Sequence, residues 1–238
     1  MGLCEGCHAG CCRSFAIPLT GADILRMERD LNASFWDFAC RWDDPEGIIA
    51  RKYAPHFHFA DEPETPFVIS LMHEESQHFT GTSKCQHLVE GAPDAEHACG
   101  QSHCGIYESR PAACRVFPTK LNTTSELVVV YSVPERGRVS DSPIYDLCPR
   151  QWEPSDVDSL TMLPDLVVAK YEMSFFHSVA AIWNRDPQAW DVFPEFLHAV
   201  YANRIIDEAT EAAAQEEAEG PSTILMVPLD DVRRTRAA

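Results

Sequence analysis

The chain has 238 residues, 45% of them hydrophobic, which is enough for one large domain or a domain with an appendage around a real core. Its 37 acidic residues against 19 basic ones leave a net charge of −18, which speaks against a nucleic-acid partner and against docking on an anionic membrane surface. No apolar run approaches the ~20 residues of a membrane-spanning helix.

No apolar stretch precedes Cys4, so no secretory leader is expected, and Gly6 stands where an N-myristoylation motif requires Ser or Thr. These features predict a cytoplasmic protein. Ten cysteines in a reducing compartment are a poor fit to structural disulfides and a natural fit to metal thiolates. All ten lie at or before Cys148. The expected organisation is therefore a cysteine-rich metal-binding domain over 1–150, a helical extension over 151–220 and a tail over 221–238. The fold class is α+β, with short strands and helices in an irregular cysteine-rich core.

The chain opens with CEGCHAGCC, residues 4–12. Thr20 then reads as the N-cap of a helix over GADILRMERDL, with Asp23 in its first turn and Ile24, Leu25, Met27 and Leu31 at helical spacing. SFWDFACRW reads as a second short helix capped by Ser34, and Pro55 to Pro66 as a loop. FVISL, residues 67–71, is a predicted strand. Cys85-Gln-His-Leu88 reads as another short strand, turned by Glu90-Gly91. Residues 126–133, ELVVVYSV, form the clearest strand because β-branched residues dominate them. Beyond Ser155 the pattern is helical. A helix over 165–183 would bury Leu166, Ala169, Phe176, Val179 and Ile182 and end at Asn184, and a second would cover 189–213, with Pro194 near its start.

The cysteine spacing carries the chemistry. Cys4-Glu-Gly-Cys7 is a zinc-type knuckle, whereas adjacent Cys11 and Cys12 are not a second one, because neighbouring side chains diverge in most backbone conformations. A multi-iron cluster accepts one thiolate per iron and relieves that difficulty. The spacing is the reverse of the three-then-two loop of radical enzymes that cleave S-adenosylmethionine, which ranks that reading low.

CEGCHAGCC, Cys85-Gln-His-Leu88, Cys104-Gly-Ile-Tyr-Glu-Ser-Arg-Pro111, Cys114-Arg-Val-Phe-Pro118 and Cys148-Pro149 together resemble the YkgJ-like cysteine-cluster family, whose signature is CxxCxxCC and which is described as zinc- or iron-chelating. The resemblance covers residues 4 to 149. One departure is that three residues, His8-Ala9-Gly10, precede the cysteine pair where the signature has two. That leaves open whether Cys11 or Cys12 is the ligand and whether His8 takes part. The resemblance implies Cys4, Cys7, Cys11, Cys12, Cys85, Cys104, Cys114 and Cys148 as metal ligands, with Cys40 and Cys99 as ordinary small apolar residues. It further suggests Arg110 and Arg115 as hydrogen-bond donors to a thiolate or cluster, against the plainer alternative of arginines pairing with surface acids.

An iron–sulfur cluster, 4Fe–4S first, is expected over zinc because the ligand set is thiolate-only and includes an adjacent pair. Among the ten histidines, His56 and His58 with Asp61 and Glu62 sketch a second metal site, with exposed loop histidines as the commoner outcome, and His97 and His103 border the cysteine stretch. Two classes of function follow: a metal-binding protein without chemistry of its own, such as a carrier, interaction module or redox sensor, or an enzyme. The same signature resembles flagellin lysine N-methylases, which implies S-adenosylmethionine and a protein lysine substrate, although no glycine-rich strand-to-helix loop for that cofactor is present. A protein partner or protein substrate fits either class, and oligomeric state is left open. Cys4→Ser, Cys7→Ser and Cys114→Ser should each lose metal while Cys40→Ser keeps it, as read by metal analysis of the four purified variants.

Overall fold

The computed structural model describes residues 8–130, 142–146 and 152–204. Cys4, Cys7 and Cys148, the end of the predicted strand at 131–133 and the sequence after 204 lie outside these residues. The mixture of short strands, short helices and one long C-terminal helix is the α+β class expected.

The first regular element is a single turn, α1 (Cys11–Ser14), followed by α2 (Gly21–Leu31). α2 starts where the sequence places it. Thr20 Oγ1 accepts from the backbone N–H of Asp23, while the Asp23 carboxylate accepts from the N–H and hydroxyl of Thr20, a reciprocal cap. Asn32 ends the helix in the left-handed region. The helix predicted over SFWDFACRW is cut short. Ser34 does cap a 3-10 turn, but that turn covers only Phe35–Asp37 and the chain then extends into β1 (Ala39–Asp43). Antiparallel pairing of residues 39–43 with residues 67–71 wins there over helical spacing.

Residues 55–66, read as loop, also hold strands: β2 (Phe57–Phe59) and the start of β3 (Glu62–Leu71). The prolines that suggested loop are tolerated because Pro63 and Pro66 lie beyond the ladder between β3 and β1, which ends at the Asp43↔Phe67 pair. The sheet order is β1-β3-β2, both pairings antiparallel. Residues Ile17 and Leu19 continue along the other edge of β3, with Leu19 N–H donating to Ile69 and Leu71 N–H to Ile17. The cysteine loop is thereby tied directly to the central strand.

Three two-stranded sheets complete the β structure: β4 (His73–Glu75) with β5 (Ser83–Cys85), β6 (Leu88–Glu90) with β7 (Ser102–Cys104), and β8 (Thr119–Leu121) with β9 (Val128–Val130). Cys85 to Leu88 is thus not one strand; Gln86 and His87 turn between two. Between β7 and β8 lies α3 (Ala112–Val116). The long helix α4 (Ser159–Trp183) begins six residues before its expected start, because Asp158 caps it by accepting from Leu160 N–H. It buries Leu166, Phe176 and Val179 as expected, and Trp183 besides, but leaves Ile182 exposed and Ala169 half-buried. After a 3-10 turn at Trp190–Val192 another helix begins at residue 193, with Pro194 in its first turn.

The core of the unit running to His198 is aromatic. Phe57 and Phe59 of β2 meet Phe176 and Trp183 of α4 and Phe193, at ring-centroid distances of 5.0 to 5.6 Å and mostly edge-to-face. Arg41 of β1 roofs this cluster. Its guanidinium stacks over Phe59, Phe67 and Trp190 and pairs with Asp61 and Glu62. The aromatic faces of the C-terminal region therefore pack on the three-stranded sheet. Phe193 is fully buried, and Phe193→Ala should lower stability by about 3–5 kcal/mol in urea unfolding.

Candidate metal centre

Five of the cysteines come from four separate elements. Ala9, with a positive φ of 59°, turns the chain into α1, which carries Cys11 and Cys12. Cys85 ends β5 opposite His73 of β4, and Cys104 ends β7 opposite Leu88 of β6. Cys114 lies in the middle of α3. Cys12, Cys85, Cys104 and Cys114 line one small cavity of about 20 Å³, room for roughly one water-sized sphere, whose other walls include Ile17, Leu71 and Leu88. Cys11 Sγ stands 3.9 Å from Cys12 Sγ.

That last distance corrects the expectation for the adjacent pair. The two side chains do not diverge; the helical turn of α1 sets their sulfurs side by side. A tetrahedral ion with bonds of about 2.3 Å to sulfur needs sulfurs about 3.8 Å apart, so both can reach one ion.

The thiols govern one another's ionisation. A hydrogen bond from Cys12 holds Cys11 below the ordinary thiol value, and the same contact, with burial, pushes Cys12 up. Burial pushes Cys85 to about 11 and raises Cys104. Cys114 is driven well above its usual value by burial and then by Cys11, Cys85 and Cys104. Such an array resists carrying several thiolates unless a cation neutralises them, which is the service a thiophilic metal provides. The donor set fits such a metal, zinc or iron, by its chemistry. Among the described residues no group of three or more His, Cys, Asp or Glu side chains stands arranged to hold a metal ion. Four thiols line the cavity, with Cys11 beside Cys12, without closing on one point.

The remaining sequence candidates fall on both sides of this site. Arg110 lines the cavity, stacks on Tyr107 with its guanidinium carbon 3.6 Å from the ring centroid, and draws the Cys104 thiol down against the effect of burial. Arg115 faces Asp165 of α4 at 3.9 Å. His8 is engaged through Nε2 with the backbone carbonyl of Asp146 at 2.6 Å. Cys40 contacts the Leu71 carbonyl, and burial pushes it to about 11. His97 is held by Asp94 and Gln101, and His103 is exposed. The second site sketched around His56 is not assembled: His56 pairs with Asp44, whereas Asp61 and Glu62 pair with Arg41.

Several residues that position the site are not evident from the cysteine spacing. Asp23 is one. Besides capping α2, its carboxylate accepts from the Ala112 N–H at the start of α3 and from Arg26, which also donates to the Arg110 carbonyl. It therefore fixes the segment that leads to Cys114. Arg13, next to Cys12, forms a fully buried ion pair with Glu90 of β6 at 2.6 Å. His87, two residues after Cys85, lines the cavity, and burial holds its imidazole below the usual range. The Cys-x-His spacing was a usable signal for that last residue; for Asp23 and Arg13 none was available. The β6–β7 hairpin that presents Cys104 depends on glycine at its loop end. A Cβ on Gly91 would overlap the Gln101 carbonyl, and one on Gly100 the Gly91 carbonyl.

The family model for CxxCxxCC, described as a putative zinc- or iron-chelating domain, matches residues 3–132. No curated protein and no solved structure matches the chain.

Burial pushes the Glu90 carboxyl up, but Ser76, the Gln77 N–H and Arg13 together hold it below its ordinary value. Its contribution is therefore complete above the unfolded-state value and lost as pH falls through the folded one. Wild type should lose stability more steeply than Glu90→Gln on acidification, as followed by denaturant titration at each pH. At neutral pH, Arg13→Met should cost about 3–5 kcal/mol, because it strands a buried carboxylate.

Proposed function

The chain belongs to the CxxCxxCC family, and on that premise we propose that its cysteines hold an iron–sulfur cluster of the 4Fe–4S type. The observation that carries this reading is the convergence of Cys12, Cys85, Cys104 and Cys114 on one cavity, with Cys11 beside Cys12. Five thiols exceed the four ligands of one structural zinc and equally the four of one cubane cluster, so the set corresponds to two sites or to one cluster with spare thiols; a loop-wrapped cluster can take its four from several directions. Cys4, Cys7 and Cys148 complete the proposed ligand set. The bond from His8 to the Asp146 carbonyl supports their inclusion, because Cys7 directly precedes His8 and only Leu147 separates Asp146 from Cys148. Arg110 is the residue we assign to charge compensation, since it already acts on Cys104. A bound cluster would supply either a one-electron couple or a cross-link between otherwise separate hairpins.

A second reading is a zinc site, and one observation favours it. The 3.9 Å between Cys11 and Cys12 matches the edge of a zinc–thiolate tetrahedron, about 3.8 Å. The two readings separate in one experiment: anaerobic purification followed by visible absorption and by iron, acid-labile sulfide and zinc analysis. Iron with matching sulfide and a broad visible band is the expected result. A colourless protein with stoichiometric zinc would replace the first reading by the second, and a protein binding neither metal would overturn both. Asp23→Ala, which leaves every cysteine in place but frees the start of α3, should reduce metal retention under a chelator challenge.

A further inference from the structure

A cleft of about 600 Å³ lies between residues 45–56 and the C-terminal part of α4, away from any cysteine. One wall is a turn organised by Asp44. This side chain is buried, and its carboxylate accepts from the backbone N–H groups of Ile48, Ile49 and Ala50 and from His56 Nε2 at 2.9 Å. The other wall is α4, which contributes His177 and Ala180. The walls are locked together. Asn184 accepts from the His58 N–H and donates to the His56 carbonyl, and the Trp183 indole donates to the His58 carbonyl.

The lining combines an apolar floor with a rim of one arginine and two histidines. Ala54 and Ala180 are almost fully buried beneath it, while Arg51, His56 and His177 stand around it. Gly47 leaves the space between two of these open: a Cβ there would sit 3.5 Å from Arg51 Nε and 3.7 Å from His56 Cε1. In a chain with twice as many acids as bases, this lining holds one acid, Glu46, while the buried Asp44 carboxylate lies behind it on His56 Nε2.

We propose that this cleft binds a small monocarboxylate with an apolar body, its anion held by the Arg51 fork and its body lying on the alanine floor. The planar guanidinium matches a carboxylate bidentately. Glu46 on the rim disfavours ligands of higher charge, such as phosphate. The cleft is shallow and open to solvent, with a lining somewhat more apolar than polar, so it suits a small ligand that keeps one face in water.

The test uses the full chain and benzoate as probe, with benzamide as its neutral counterpart and inorganic phosphate as a more highly charged anion. The readout is the ring-proton NMR shifts of His56 and His177. Benzoate should shift both saturably, and Arg51→Gln should weaken its binding by about tenfold or more. His56→Gln should weaken it while leaving the α4 wall in place. Benzamide binding as tightly as benzoate, phosphate binding more tightly, or an Arg51→Gln variant with unchanged affinity would each overturn the proposal. So would the absence of any saturable shift. None of these outcomes depends on whether the cysteines carry metal.

Discussion

The Asp23 carboxylate is the point on which the cysteine region turns. A single buried group closes the N-terminal cap of α2, accepts from the start of α3 and pairs with Arg26, which itself reaches the Arg110 carbonyl. Two helices that are far apart in sequence are registered against each other through two oxygen atoms. Cys114 inherits its position from that registration, and Arg110 does so through the same carbonyl. Charge-assisted hydrogen bonds of this kind are stronger than neutral ones and tolerate little displacement, so the small α3 helix gains a rigidity that its five residues could not supply.

The distribution of charge around the thiols follows a consistent pattern. Two cations lie buried next to cysteines in sequence, Arg13 beside Cys12 and Lys84 beside Cys85. Both are committed to carboxylates: Arg13 to Glu90, and Lys84 to Glu74 while also donating to the Leu88 carbonyl. Strand alternation explains the second case, since neighbours on β5 point to opposite faces. The first pair fastens α1 to β6 and the second braces β4 against β5, so both cations are engaged by carboxylates. Arg110 is the exception that faces the cavity. The arrangement separates the electrostatics that hold the elements together from those of the thiols.

How much of this was legible in the sequence depended on the range of the interaction. The α2 cap was legible because Thr20 and Asp23 are three residues apart and signal locally. The helix α4 and its stop at Asn184 were legible from periodicity, and the cysteine signature from spacing. What stayed hidden was non-local. Pro63 and Pro66 looked like loop residues until the register showed that β1 had already ended. The pairing of His73 with Cys85, and of Leu88 with Cys104, divided a motif that read as one strand into two hairpins joined by a turn. The Cys11–Cys12 pair was misread for a local reason: the one helical turn that brings adjacent sulfurs together has no clear sequence mark beyond the small residues before it.

The three two-stranded sheets have a further consequence. Isolated hairpins of three residues a side are marginal in water, and two of these, β4–β5 and β6–β7, carry Cys85 and Cys104 at their ends. The chain is built of two materials: a sheet-and-helix portion consolidated by phenylalanine and tryptophan, and a thiol-bearing portion of short hairpins held by ion pairs and backbone hydrogen bonds. In such a construction a metal would act as the missing core of the weaker portion, and its loss would loosen that portion while the aromatic one stayed folded. Occupancy would then be expressed as local order, a state that proteases and binding partners can read without any reaction taking place at the metal.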